Sequence, residues 1–267
     1  MHIHFLDPFQ AGTSPIHRLD PRVKFVLALA FILTTALAPP GAWPVYMLLL
    51  AAILSVEILS GLGTGFVLKR AVLALPFVLA AVPVIFTLQG DPLFTISLGA
   101  WSLVFTQPGV ERFASIALKS WISVQAAIVL ASSTSFPDLL VAMRSVGIPP
   151  LLVSIFALMW RYLFVLSDEA LRLMRARVAR SGRSERPGLK PGGSLAWRGS
   201  VAGGMAGSLF LRAFERSDRI YMAMLARGYD GEVRSFSPTP LKRSEWLTLG
   251  VGLVILAGLA LSAFLLV

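Results

Sequence analysis

Apolar residues in this chain fall in long, nearly unbroken blocks rather than in the short alternations of a soluble domain. A helix needs about 20 mostly apolar residues to cross the hydrocarbon core of a bilayer. Five blocks meet or approach that length. Phe25–Leu37 extends through Val23 to Ala38. Trp43–Leu59 follows the turn Pro39-Pro40-Gly41, so these two blocks read as a tight transmembrane hairpin. Ala71–Leu88 is interrupted by Pro76 and Pro83. Phe113–Ser132 is more polar, with Lys119, Ser120, Ser123 and Gln125. Trp246–Val267 is the fifth.

Between the fourth and fifth blocks the pattern changes to helical periodicity with charge. Ser135-Phe136-Pro137-Asp138 fits the S-x-x-D helix start and predicts a short helix that stops at Gly147. Pro149-Pro150 opens a long helix, from about Leu151 to Arg180. Its first half is apolar (Leu152, Ile155, Phe156) and its second half carries Arg172, Arg175, Arg177 and Arg180. Residues 181–204 are rich in Gly, Ser and Pro and read as a mobile linker. A second amphipathic helix follows from about Met205 to Arg227, with Gly228 as its stop. Asp168 with Arg172, and Glu215 with Arg219, have the acid-first spacing of four that supports a helix.

Composition sharpens this picture. Of 267 residues, 56% are hydrophobic and only 14% charged, with a mean hydropathy of +0.75. Ordinary soluble domains are about 25% charged. A soluble enzyme domain and a disordered chain are therefore both excluded. The chain has no cysteine, which removes disulfides, thiolate zinc sites and a cysteine nucleophile. Polar residues near the start, Asp7 and Asp20 among them, interrupt any signal-peptide core.

The net charge is +10, and residues 133–245 hold 17 of the 24 Lys and Arg. The positive-inside rule places that stretch in the cytoplasm. The same assignment puts Arg18, Arg22, Lys24, Lys69 and Arg70 inside, and the uncharged loop 39–42 outside. The expected fold is an all-α integral membrane protein, with about five transmembrane helices plus a cytoplasmic domain of long amphipathic helices. Residues 1–132 hold the N-terminal segment and transmembrane helices 1–4, 133–245 the cytoplasmic domain, and 246–267 the C-terminal transmembrane helix. The aromatics lie in apolar runs and no nucleic-acid fold signature is present, so the basic charge does not imply a nucleic-acid partner.

Candidate chemistry is sparse. The loop Gly61-Leu62-Gly63-Thr64-Gly65 reads as a flexible turn, because no G-x-x-x-x-G-K-[ST] string exists to cradle a nucleotide. His2 and His4 read as a polar tail rather than a metal site, and no His, Asp or Glu cluster has catalytic or ligand spacing. No catalytic residue, metal or cofactor is expected. Asp20 is an N-cap candidate with Pro21 at the first helical position. Glu57 reads first as an interfacial carboxylate near a helix end, with a buried contact as the alternative. Arg161 reads as an interfacial anchor. The two long helices end in similar tripeptides, Ala179-Arg180-Ser181 and Ala226-Arg227-Gly228. Those arginines are either solvated cations favoured by the helix dipole, or forks that reach a carboxylate on a partner.

Three strings carry a resemblance. They are His17-Arg-Leu-Asp-Pro-Arg-Val-Lys24, Met159-Trp-Arg-Tyr-Leu-Phe-Val-Leu-Ser-Asp-Glu169 and the run from Phe210 to Asp230 containing Ala226-Arg227-Gly228. Together they resemble the transmembrane T component of energy-coupling-factor (ECF) transporters, closest to the cobalt/nickel group. The resemblance implies a non-catalytic subunit in a bacterial or archaeal plasma (inner) membrane. It implies as partners two ABC-type ATPase subunits and a membrane-embedded, substrate-binding S component. The cytoplasmic domain becomes a coupling domain, and Arg180 and Arg227 match the X-Arg-X motifs that dock on the ATPases. Ser181 departs from the Ala-Arg-Gly form at its third position. The string Asp20-Pro21-Arg22 with Lys24 matches a structural motif before the first membrane helix. Cobalt is the first expectation for the cargo and nickel the second. The reading from another class is a stand-alone channel or permease with a basic regulatory domain.

Overall fold

A computed structural model describes residues 8–88, 92–98, 101–180, 194–231 and 240–265. The described residues divide into two compact units, the first holding every element up to Gly147 and the last helix, the second lying within 148–237.

The larger unit opens with a short helix, α1 (Pro15–Arg18), and α2 (Pro21–Leu37). The turn at Gly41 leads to α3 (Trp43–Ser60), and α4 (Thr64–Ala71) follows after Gly61 and Gly63. The third apolar block does not form one straight helix. It passes from α4 through a single 3₁₀ turn, Val72–Ala74, into α5 (Leu75–Ala80) and α6 (Val84–Thr87). Pro76 and Pro83 remove backbone donors and clash with the preceding turn, which breaks the ladder. An antiparallel hairpin then appears, β1 (Pro92–Leu98) with β2 (Trp101–Thr106), pairing Thr95 with Val104 and Leu98 with Trp101. The pattern of apolar blocks predicts no strand here. The aromatic and β-branched residues of this stretch suit a pleated pair. The unit continues with α7 (Gln107–Ser133) and α8 (Phe136–Ser145), and closes with α11 (Arg243–Leu265).

The core of this unit comes from α2, α3, α7 and α11, around Tyr46, Leu49, Ile53, Ile122, Ala126 and Leu256. Helices α2 and α11 approach closely at Gly252, where an added Cβ would sit 2.6 Å from Leu27 Cδ2. Helix α8 begins at its expected cap: the Ser135 hydroxyl accepts from the Asp138 N–H at 3.4 Å and donates to the Asp138 carboxylate at 2.6 Å. Leu140 and Ala142 are buried, so α8 belongs with the bundle although it was grouped with the basic stretch by charge.

The second unit is two helices of 31 residues each, α9 (Pro150–Arg180) and α10 (Leu195–Leu225). Helix α10 starts about ten residues earlier than the sequence suggested. Ser194 caps it by accepting from the Trp197 N–H at 3.2 Å, and the helix runs straight through Gly199, Gly203, Gly204 and Gly207. Residues 195–204 are therefore helix rather than linker. Interior glycines each cost a helix only about 1 kcal/mol relative to alanine, too little to stop one this long.

By length and composition, five helical stretches can cross a membrane: Trp43–Ser60, Thr64–Thr87, Gln107–Ser133, Pro150–Arg180 and Arg243–Leu265. The number matches expectation but the membership differs. Helix α9 qualifies through its apolar first half. Helix α2, with 17 residues, spans only about 25 Å of a core about 30 Å thick.

Candidate functional site

The first candidate group is the string before α2. Asp20 is the N-cap of that helix, accepting from the Arg22 N–H at 2.8 Å, with Pro21 in the first turn. The Arg22 guanidinium returns to the same carboxylate, Nε to Oδ1 at 3.7 Å. Lys24 is buried and donates from Nζ to the Ser133 carbonyl at 3.0 Å. Ser133 is the last residue of α7. The lysine thus answers one of the carbonyls that a helix C-terminus leaves open, where the helix dipole also favours a cation.

A second lysine does the same in reverse. Lys119 of α7 donates to the Ala38 carbonyl at the C-cap of α2, and its ammonium lies 5.7 Å from the centre of the Tyr46 ring. The same number of residues separates Lys24 from Ala38 as separates Lys119 from Ser133. The two helices are therefore antiparallel, with a staple at each end, and each helix caps the other with a lysine. Sequence reasoning missed this pairing. Two lysines placed at matching distances from two helix ends was the signal that could have found it.

The turn at the far end is fixed as well. The Gly41 N–H donates to the Ser115 hydroxyl at 3.4 Å, and the Tyr46 hydroxyl donates to the Pro39 carbonyl. The near end collects the start of α2, the end of α7, the start of α8 and the start of α11 around one cavity that includes Arg18, Lys24, Asp138 and Lys242. His17 is held there by Ser14 Oγ on Nδ1 at 2.7 Å and by the Gln10 carbonyl on Nε2 at 3.0 Å.

Glu57 corrects the interfacial reading. Its side chain is fully buried, and neither carboxylate oxygen has a hydrogen-bond partner among the described residues. It lies on the face of α3 shared with Ile53, Leu49 and Tyr46, about one, two and three turns away, so burial follows from helix geometry. Gln125 on α7 is buried and unpartnered in the same way.

The second candidate group is the pair of helix ends. Ala179 and Arg180 close α9, and both are exposed. Ser181 lies outside the described residues, as do His2 and His4. At the end of α10, the Gly228 N–H donates to the Leu225 carbonyl and the Tyr229 N–H to the Met224 carbonyl, both at 3.0 Å. Gly228 has φ +78. This is a Schellman motif with glycine in the left-handed position. Arg227 is the residue immediately before that glycine, exposed at the point where the helix turns away, with Ala226 exposed beside it. The third residue of the tripeptide is thus set by backbone geometry, and the second is the one it presents.

One carboxylate joins the two long helices. Glu169 of α9 receives Arg212 at 3.1 Å on Oε1 and Arg216 at 3.3 Å on Oε2. The within-helix pairs expected from spacing, Asp168 with Arg172 and Glu215 with Arg219, are not formed; the acid that pairs is the neighbour of Asp168, which faces the other helix. Among the described residues, no three His, Asp or Glu side chains gather to hold a metal.

These features define a helical membrane protein whose distinctive groups are helix caps and exposed helix ends. Comparison with known proteins gives that class a family. Residues 12–237 match the family model described as cobalt transport protein, and the chain belongs to that family. It is 27% identical over 243 residues to the cobalt transport protein CbiQ of Rhodobacter capsulatus, covering 91% of each chain. It is 27% identical over 266 residues to the energy-coupling factor transporter transmembrane protein EcfT of Lacticaseibacillus paracasei, covering 94% of each. An uncharacterized protein of Methanocaldococcus jannaschii is 24% identical over 261 residues, with 96% of this chain and 86% of that one covered. The family expected from the three strings is thereby met, and the chain is a multi-pass membrane protein.

Proposed function

We propose that this chain is the transmembrane coupling (T) component of an ECF-type importer in a bacterial or archaeal plasma membrane, with cobalt as the first cargo to test and nickel the second. Two ABC-type ATPases dock on the ends of α9 and α10. A membrane-embedded S component binds the cargo. The observation that carries this reading is the pair of long helices that bury almost nothing of their own and end in exposed arginines. Among the described residues of α9 and α10, Ser154 alone is buried. Large apolar side chains such as Ile155, Met159, Phe210, Phe214 and Met222 stand exposed. Large apolar side chains exposed in such number mark contact with protein or lipid.

The docking chemistry follows from arginine. Its planar fork gives two parallel, charge-assisted hydrogen bonds to a carboxylate. Gly228 turns the chain away so that a partner groove can close around Arg227. Arg180 does the corresponding work on α9. Closure of the ATPase dimer on ATP moves both ends, and the rigid helices carry the displacement to the S component. No energy source of this chain's own is required.

Charge supports keeping both helix ends on the cytoplasmic side, because residues 133–245 hold 17 of the 24 Lys and Arg. Of this stretch α8 packs with the bundle, and the remainder serves as the coupling region.

The test is co-purification from the native host in mild detergent, read by mass spectrometry. An ABC-type ATPase and a small membrane protein should accompany the chain. Arg180→Ala with Arg227→Ala should release the ATPase while the small membrane protein stays. Recovery of the chain alone, stably folded, would favour the stand-alone channel.

A further inference from the structure

We propose that the near end of the bundle binds one phospholipid of net negative charge, with an acyl chain inside the bundle and the phosphate between Arg18 and Lys242. The proposal needs the membrane location but not the ECF reading.

Two cavities carry it. The inner one, about 350 Å³, lies among α2, α3, α7 and α11 and is apolar, bordered by Leu27, Ala28, Ala52, Val56, Ala126 and Ile255. The outer one, about 640 Å³, is bordered by charged groups. Leu19, Lys24 and Ser133 border both, so the apolar space opens directly onto the polar one. The junction sits at the first turns of α2 and the last residue of α7, which are the ends of membrane helices. That is the depth at which a lipid changes from acyl chain to headgroup.

The lining of the inner cavity decides its occupant. It presents almost only apolar side chains from four helices and so suits hydrocarbon, and part of one acyl chain can occupy it while the rest of the lipid stays outside.

Charge decides the headgroup. The outer cavity has three acids and three fixed cations, but they are not equally available. Asp20 accepts from the Arg22 N–H at 2.8 Å. Asp138 accepts from the Ser135 hydroxyl at 2.6 Å, and Glu245 accepts from the Lys242 N–H at 2.7 Å. Each acid is engaged with the start of its own helix. Lys24 spends one donor on Ser133. The side chains of Arg18 and Lys242 are exposed, and among the described residues neither makes a hydrogen bond or ion pair. The unspent groups at the mouth are cationic donors, which is what a phosphate requires.

The experiment places the full chain, with whatever subunits co-purify, in nanodiscs of phosphatidylcholine with or without phosphatidylglycerol, and measures lipid retained after detergent extraction. Each cation near the surface is worth about fivefold for an anionic lipid. Wild type should therefore retain phosphatidylglycerol over phosphatidylcholine. The double variant Arg18→Ala, Lys242→Ala should erase that preference, and Arg18→Lys with Lys242→Arg should keep it. Ala28→Phe, which fills the inner cavity, should lower retention of both lipids. Equal retention of the two lipids by wild type overturns the proposal, as does a preference that survives the double alanine variant. So does crosslinking from position 28 to a protein subunit rather than to lipid. Loss of the ATPase contacts would leave all of these readouts in place.

Discussion

The bundle and the α9–α10 pair are made of the same kind of element, yet they solve opposite problems. In the bundle, polar groups at helix ends are answered from within the chain. Lys24 and Lys119 cap each other's helices, Asp20 and Ser135 cap their own, and the Pro39–Gly41 turn is held by Tyr46 and Ser115. In the pair, the two helices are joined through one shared carboxylate, and the apolar side chains stay exposed. The contrast teaches that the helix ends of the bundle are finished as they stand, whereas the pair is completed by what covers it. Hydrocarbon offers no hydrogen bonds to an open helix end, so such ends must be answered internally. A coupling arm has the reverse requirement and must keep its ends available.

The largest expected effect tests the finished half. Lys24→Met keeps most of the unbranched side chain but leaves the Ser133 carbonyl unanswered in a buried setting. The loss should be about 1.5–3 kcal/mol of bundle stability, the range for a hydrogen bond to a charged group. Unfolding in mixed detergent micelles would read it. Lys242→Met, a cation at the same end without such a bond, should change stability little. If both variants behave alike, general surface charge rather than the staple accounts for the effect, and the contrast between the regions weakens.

The next effect belongs to the arm. Gly228→Val forces a β-branched residue into a left-handed conformation at φ +78, which costs about 1–2 kcal/mol. The cost is local. Hydrogen exchange should speed up from Met224 to Tyr229 and stay unchanged in α2 and α7. ATPase retention should fall even though Arg227 is still present, because its backbone would no longer be held. Gly228→Asn should do less, since asparagine tolerates that conformation better. Unchanged retention in both variants would show that the arginine docks without its turn.

Much of this division was legible in the sequence, because apolar block length and capping residues act locally. Asp20-Pro21 and Ser135 to Asp138 announce helix starts through bonds that span three residues or fewer. Arg227-Gly228 announces a helix end through the one residue that adopts the left-handed region freely. What stayed hidden depends on contacts between distant positions. The Lys24–Ser133 and Lys119–Ala38 staples need the antiparallel packing of α2 and α7, which no local pattern encodes. Burial of Glu57 likewise depends on which face of α3 meets its neighbours. The run of glycines before Met205 misled for a different reason. Glycine lowers helix propensity, but here a good N-cap and a long helix outweigh it.

That last point gives a smaller test. An added Cβ at Gly203 or Gly204 would meet nothing within 4 Å. Gly203→Ala and Gly204→Ala should therefore each stabilise α10 by up to about 1 kcal/mol. Exchange should slow near Ser194 to Ser208, and the bundle should not respond. Faster exchange in that region would mean that an unseen surface packs against those glycines, and the arm would already be covered on that side.

The smallest expected effect concerns the one carboxylate that joins the long helices. Glu169 is mostly shielded, whereas Arg212 and Arg216 are 57% and 33% exposed at their side chains. Exposed ion pairs contribute about 1 kcal/mol or less, and less again in salt. Glu169→Gln should therefore loosen α9 from α10 only slightly, visible as faster exchange in α10 at low salt and fading as salt rises. A double-mutant cycle with Arg216→Gln should show more coupling than one with Arg212→Gln, because the less exposed partner is less screened. Coupling well above 1 kcal/mol would mean that water is excluded from this contact. The pair would then hold itself together as the bundle does, and its exposed apolar faces alone would be left for partners to complete.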